Sequence, residues 1–311
     1  MTAAWIVAGI IGLVVALGAS RRAVHHASAL AFGSRLPPFV IGLSLLAIGT
    51  DLPEIANSII SSVRDQGDVN VSDSIGSAAT QMTLVLGLLP FVGGTLVLGK
   101  RRVRLVGGLT ILALILGIFL VADGYLSRLD GGVLVIAWMV ACAAVWKYAP
   151  PTSGPALRVP SRRKSRHILL ALGALGLVGA GSWLAIEALL RIAELVEVPV
   201  YIIGFLGVSL GTSLPELLVD VTALRQGRRD LAVGDVFGSS LVDATLSIGI
   251  GPLVAPVAVS ADLALTGGMG ALGAAGVVTL LLGTLRRHNR ITGTGLLLLY
   301  AALYMILLNA F

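Results

Sequence analysis

The segment GTDLPE at residues 49–54 returns as GTSLPE at 211–216, and the rest of the chain can be read outward from that pair. The offset of 162 residues then runs on without a gap. Asp68 meets Asp230, Asp73 meets Asp235, Gly76-Ser77 meets Gly238-Ser239, Thr83-Leu84 meets Thr245-Leu246, Gly87 meets Gly249 and Pro90 meets Pro252. A constant offset across such a stretch marks a duplicated unit rather than an accident of composition. In both copies a Pro, which removes a backbone donor and crowds the preceding turn, is followed directly by a Glu.

The surroundings of these motifs are strongly apolar. Of 311 residues 56% are hydrophobic and only 12% charged, against about a quarter charged in soluble domains. This excludes a soluble enzyme, a secreted disulfide scaffold and a disordered chain. The single Cys142 excludes an internal disulfide and any multi-cysteine metal site. At about 20 residues per crossing, the apolar runs predict an all-α membrane protein of ten transmembrane helices. They lie near 3–18, 37–63, 70–97, 105–122, 131–148, 167–190, 199–224, 231–256, 263–284 and 292–310. Residues 1–18 lack a basic start, so no cleavable signal is expected.

Charge then orients the chain. Of the 22 Lys and Arg residues, 19 fall in the loops that follow the odd-numbered spans, leaving Arg64, Arg128 and Arg191 on the other side. The positive-inside rule places those loops in the cytoplasm and both termini outside. The net charge of +6 is therefore loop charge and gives no reason to expect nucleic acid. Residues 149–166, basic and rich in Pro, read as a cytoplasmic linker between a first repeat at 1–148 and a second at 167–311. Its Arg162, Arg163, Lys164 and Arg166 set orientation, with contact to anionic membrane lipid as the alternative role. Five spans per repeat make the second copy enter the membrane from the opposite side. Inverted repeats with Gly- and Pro-broken helices predict a secondary transporter with its site near the bilayer midplane.

Seven of the 16 acids fall inside predicted spans: Asp51, Glu54, Asp73, Glu216, Asp220, Asp235 and Asp243. No Lys or Arg shares those spans, and a lone charge at mid-membrane costs about 2.5–3.5 kcal/mol on insertion scales. Protons, water or bound cations must offset it, which argues against an anionic substrate. Thr50, Glu54 and Ser58 repeat at four, as do Thr212, Glu216 and Asp220; Asp73, Ser77 and Gln81 are matched by Asp235, Ser239 and Asp243. Each set shares one face of a helix. The donors are hard oxygens, suited to Ca²⁺, Mg²⁺ or Na⁺ rather than zinc or copper. His25, His26, His167 and His288 fall in loops or at span ends and read as solvated.

At these residues the chain resembles the sodium/calcium exchanger family of the cation/calcium antiporter superfamily. That family carries G-T-S-x-P-E on the second and seventh spans and G-S-N with a downstream Asn or Asp on the third and eighth. The resemblance implies a prokaryotic cell-membrane antiporter, not an enzyme, that expels Ca²⁺ in exchange for Na⁺ by alternating access. It implies no cofactor and no obligate protein partner. Glu54 and Glu216 would bridge the Ca²⁺ and neighbouring Na⁺ sites. Thr50, Thr212, Ala47 and Ser209 would add backbone carbonyls, Ser77 and Ser239 hydroxyls, and Asp243 an acid; Gln81 occupies the position of an Asn or Asp. Asp51 replaces the family Ser, Ala78 and Ser240 replace the Asn of G-S-N, and Asp73 and Asp235 stand where Asn is usual. These departures keep open a proton-coupled or Mg²⁺/Mn²⁺-selective exchanger of the same fold. An intramembrane aspartyl protease is disfavoured, because its Y-D and G-x-G-D contexts are missing. A channel is disfavoured by two charged half-sites built for occlusion.

Overall fold

A computed structural model describes residues 2–34, 37–148, 161–195, 213–285 and 287–310. Among these residues the protein is all-helical apart from four two-residue strands. The helices, in chain order, are α1 (Thr2–Ser34), α2 (Pro38–Thr50), α3 (Leu52–Val63), α4 (Gly67–Gly93), α5 (Lys100–Val121), α6 (Arg128–Tyr148) and α7 (Ser161–Leu195). They continue as α8 (Leu214–Arg225), α9 (Arg229–Val254), α10 (Ala261–Thr284) and α11 (Arg290–Ala310). Among the described residues seven helices are long and apolar enough to cross a membrane, or eight if the bent pair α2 and α3 is one span. The expected span at 199–224 lies largely outside the described residues; only its end, as α8, is described.

The 162-residue offset survives into local structure. It carries α3 onto α8, the start of α4 onto that of α9, and the start of α6 onto that of α11. The π-helical turn Gln81–Val85 inside α4 recurs as Asp243–Ser247 inside α9. Helix α3 ends in a turn at Asp65 (φ 56°) and α8 at Gly227 (φ 72°), which are equivalent positions. In both, the next amide reaches back five residues, Gln66 N–H to Ser61 O at 2.8 Å and Arg228 N–H to Ala223 O at 2.8 Å. This closes the last turn and satisfies carbonyls that a helix end leaves open. Strand β1 (Leu96–Val97) pairs antiparallel with β4 (Arg287–His288), and β2 (Tyr125–Leu126) with β3 (Val257–Ala258).

Prolines inside α4 and α9 show how sequence dictates packing. Pro90 has no N–H to give to the carbonyl four residues earlier, so Leu86 O is left open. His288 Nε2 lies 2.9 Å from it, while Nδ1 faces Thr292 Oγ1 at 2.8 Å. The imidazole therefore carries its proton on Nε2. In the other repeat Pro252 frees Ile248 O, which accepts Asn70 Nδ2–H at 3.1 Å. His288 is thus 0% exposed and structural, which corrects the expectation of a solvated ring. His26 and His167 are half-buried, their Nδ1 atoms lying 3.0 Å apart.

The chain forms two compact units, residues 1–52 with 151–235 and residues 53–150 with 236–311. In the first, α1 packs on α7 where Gly12 and Gly181 face each other. A Cβ on Gly12 would meet Gly181 O at 2.6 Å, and one on Gly181 would meet Gly12 O at 2.7 Å. In the second, Gly131 lies against Gly249 and Gly293 against Gly87, contacts related by the same offset. Small residues let backbones approach where lipid tails supply no hydrophobic drive between helices. Large apolar side chains such as Phe119, Leu129 and Ile136 point outward, as lipid-facing positions do.

Two outcomes follow from this packing. A Cβ on Gly251 would collide with the backbone of Ser58 and with Ser62 Oγ, whereas one on Gly273 has open space. Gly251→Ala is expected to lose on the order of 1–3 kcal/mol, the usual cost of overpacking, seen as a lower melting temperature in detergent; Gly273→Ala should melt like wild type. Burial holds the His288 imidazole below its ordinary range, and the Leu86 carbonyl offsets this only in part. Because the folded value is lowered, its contribution is full above about pH 6.5, the unfolded value, and falls as pH drops below it. Melting scans at pH 8 and pH 5.5 should show a smaller acid-induced loss in His288→Gln than in wild type.

Candidate ion-binding site

The chain break at the first motif has a clear local cause. Helix α2 contains a π-helical turn at Gly42–Leu46 and stops at Thr50; Asp51 leaves helical geometry (φ −80°, ψ 9°) and α3 starts at Leu52, bent by 46°. Pro53 cannot donate to Gly49 O, so a carbonyl is released at the bend. Gly49 itself is required, since a Cβ there would run into the Leu175 side chain. Thr50 and Glu54 consequently do not share one continuous helix face, which corrects the expectation from their four-residue spacing. At the second motif Ser213 stands just before α8, with φ −84° and ψ 3°, and Pro215 sits in the first turn. Thr212 and Ser209 lie outside the described residues.

In the first unit Ala47, Thr50, Asp51, Glu216, Asp220 and Asp235 are all buried, and the four acids are each 0% exposed. Carboxylate oxygens of Asp51 and Glu216 come within 4.8 Å of each other. The Thr50 hydroxyl is turned into its own helix, donating to Leu46 O at 3.1 Å and Ala47 O at 3.2 Å. Ala47 O also accepts Asp51 N–H at 3.0 Å, so this carbonyl is already doubly engaged.

The second unit holds Glu54 in the first turn of α3, Ser77 and Gln81 on α4, and Ser239, Ser240 and Asp243 on α9, each 3% exposed or less. Gln81 and Asp243 open the two π-helical turns, where an extra residue per turn redirects side chains. Neither side-chain atom of Gln81 has a hydrogen-bond partner among the described residues. Ser240, standing where the family motif has Asn, donates to Val236 O at 2.8 Å and so is spent on its own helix. Asp73 differs from the other span acids: it is only half-buried and accepts Asn57 Nδ2–H at 2.6 Å. Sequence reasoning missed Asn57; the signal was an amide one helical turn after Glu54.

The electrostatic balance of these groups is one-sided. No Lys or Arg is among the buried described residues, while Asp51, Glu54, Glu216, Asp220, Asp235 and Asp243 all are. Buried carboxylates without buried bases, lined by hydroxyl, amide and carbonyl oxygen, can receive hard cations and repel anions.

Comparison with known proteins agrees with this chemistry. The family model described as sodium/calcium exchanger protein matches residues 4–147 and 166–309. CaxA of Alkalimonas amylolytica is 29% identical over 97% of this chain and 98% of its own length. MaX1, a sodium/calcium exchanger of Methanosarcina acetivorans, is 26% identical over 81% of this chain and 83% of its own. The solved structure of the sodium-calcium exchanger NCX_Mj superposes with a TM-score of 0.83, covering 98% of this chain and 99% of that one at 24% identity. The fold, the paired motifs and the family match lead to one conclusion: the chain belongs to the sodium/calcium exchanger family, membrane antiporters and not enzymes.

Proposed function

We propose that this protein expels Ca²⁺ in exchange for Na⁺ by alternating access across a prokaryotic cell membrane. The observation that carries the reading is the set of buried carboxylates, headed by Asp51 and Glu216 within 4.8 Å, with no buried Lys or Arg among the described residues to offset them. Glu54, three residues beyond Asp51, joins Glu216 as the pair that holds the central ion. Ser77, Ser239, Gln81 and Asp243 add oxygens, and Thr50, Thr212, Ala47 and Ser209 contribute backbone carbonyls. The architecture that goes with this reading is ten spans in two inverted repeats, 1–148 and 167–311, joined by the cytoplasmic linker 149–166. Element boundaries that recur at the 162-residue offset support it, as does the loop charge. The same charge asymmetry supports an orientation with both termini outside.

The chemistry of exchange follows from shared ligands. Ca²⁺ needs 6–8 oxygens at about 2.3–2.6 Å, so it must draw on both glutamates at once. Na⁺ ions that use the same carboxylates cannot occupy them together with Ca²⁺. Either load neutralises the acids and lowers the cost of moving the site past apolar surroundings. The empty site keeps its charge, so it does not cross, and transport of one ion is tied to return of the other.

The test is Ca²⁺ flux in proteoliposomes with Na⁺ and pH gradients imposed independently. Uptake that follows the Na⁺ gradient and ignores the pH gradient is the expected result. Flux that follows pH, or Mg²⁺ or Mn²⁺ in preference to Ca²⁺, would move the assignment to the altered-ion exchanger that Asp51 favours. Glu54→Gln and Glu216→Gln should each reduce Ca²⁺ flux at least a hundredfold while preserving detergent-stable protein; wild-type flux in either removes the central assignment. Equilibrium Ca²⁺ affinity should fall as Na⁺ rises, and an affinity indifferent to saturating Na⁺ would separate the two ions' sites.

A further inference from the structure

One turn is built alike in both repeats but covered in only one of them. In the first repeat Asp65, Gln66, Gly67 and Asp68 lead from α3 into α4; Gly227, Arg228, Arg229 and Asp230 stand at the equivalent positions between α8 and α9. The first turn is packed over. Ser260 N–H and Oγ–H donate to Asp68 at 2.5 and 2.7 Å, and a Cβ on Gly67 would collide with Ala258 O. The residue equivalent to Ser260 is Leu98, whose side chain can offer Asp230 no such tie.

Over the second turn a cavity of about 210 Å³ opens instead, walled by Ser28 of α1, Pro38 at the start of α2 and the run Gly227–Leu231. All of these residues belong to the first unit. Two arginines stand here against one acid, Asp230, where the first repeat has Gln66 and Gly67. Helix α9 starts at Arg229, so the positive end of its dipole lies at the cavity. The carbonyl end of α8 is closed within the turn, because Gly227 N–H donates to Leu224 O at 2.9 Å and Arg228 N–H to Ala223 O at 2.8 Å. Ser28 supplies a buried polar group: it is 5% exposed, and its Oγ has no hydrogen-bond partner among the described residues. A hydroxyl left unmatched in this way costs free energy unless something in the cavity meets it.

We propose that this cavity is a binding site for a phosphate group, held by Arg228 and Arg229 with the Ser28 hydroxyl as a further donor. The planar guanidinium fork matches pairs of phosphate oxygens. The volume equals the share of about seven waters at ~30 Å³ each, which admits a phosphate group with part of its hydration and excludes a large organic anion. At the ends of membrane helices such a group has two sources, a phospholipid headgroup or the free ion. The occupant ties α1 and α2 to the turn between α8 and α9. The inference does not depend on which ions the protein exchanges.

Delipidated full-length protein in detergent tests it in two arms: equilibrium dialysis with ³²P-labelled inorganic phosphate, and native mass spectrometry with dioleoylphosphatidylglycerol. Saturable binding of one phosphate group per chain is expected in at least one arm, and the arm that binds identifies the source. Arg228→Gln and Arg229→Gln should each weaken it about tenfold, as loss of a charge-assisted hydrogen bond does, and Ser28→Ala about fivefold. Arg225 is an exposed arginine in the last turn of α8 that does not line the cavity, so Arg225→Gln should bind like wild type. Melting temperature reports folding of each variant, and the ligand should raise that of wild type by mass action. Absence of saturable binding in both arms overturns the proposal, as does wild-type affinity in Ser28→Ala. A loss in Arg225→Gln equal to that in Arg228→Gln overturns it too, because the attraction would then come from diffuse surface charge.

Discussion

Negative charge buried without a buried base among the described residues is the constraint around which the protein is organised. Moving an ionised carboxylate out of water costs several kcal/mol even after relaxation, and six such groups are 1% exposed or less. A membrane protein that needed only stability would replace them with apolar residues. Their retention places the energetic shortfall where cations can make it up. In the proposed exchange, that shortfall supplies binding energy for ions and makes an empty site a poor traveller. In the proposed site, hydroxyls at Ser77 and Ser239 and the amide at Gln81 would supply neutral oxygens, since carboxylates alone cannot complete a shell of six to eight ligands.

The backbone meets the same constraint by another route. Prolines at 53, 90 and 252 each withhold a hydrogen bond from the carbonyl four residues before. At 90 and 252 the freed carbonyls are claimed by His288 and Asn70, so the break is sealed and becomes a packing device. At 53 it coincides with the bend at Asp51 and with the buried acids. One residue type thus has two uses, separated by whether a side-chain donor is at hand. Irregular backbone is tolerated at membrane depth only where it is buried in protein or lines a polar cavity.

Much of this was legible in the sequence because duplication prints the same chemistry twice. The helical class, the paired Pro-Glu motifs and the acidic interior follow from composition, offset and the cost of charge in lipid. What was not legible depended on residues far apart in the chain. Nothing in the local sequence around His288 announces that Pro90 has opened a carbonyl for it, so the ring looked solvated. The four-residue spacing of Thr50 and Glu54 assumed one continuous helix, and Asp51 breaks it. Asp73 looked like Asp235 by position, yet Asn57 supplies a donor that Val219 does not.

That last contrast has a wider consequence. Duplicated halves begin with identical demands, and a substitution in one half changes what only that half must balance. Asp51 adds a charge to the first motif, where the second has Ser213; Asp220 adds one to the second, where the first has Ser58. The additions are of the same kind but do not fall at equivalent positions, so they cannot cancel by symmetry. Each half then holds its own surplus of negative charge next to a glutamate common to both. A pair of repeats that bound ions identically would give the two faces of the membrane equal access to equal sites. Unequal acids leave the two halves with different charge to balance, Asp51 against Ser213 and Asp220 against Ser58.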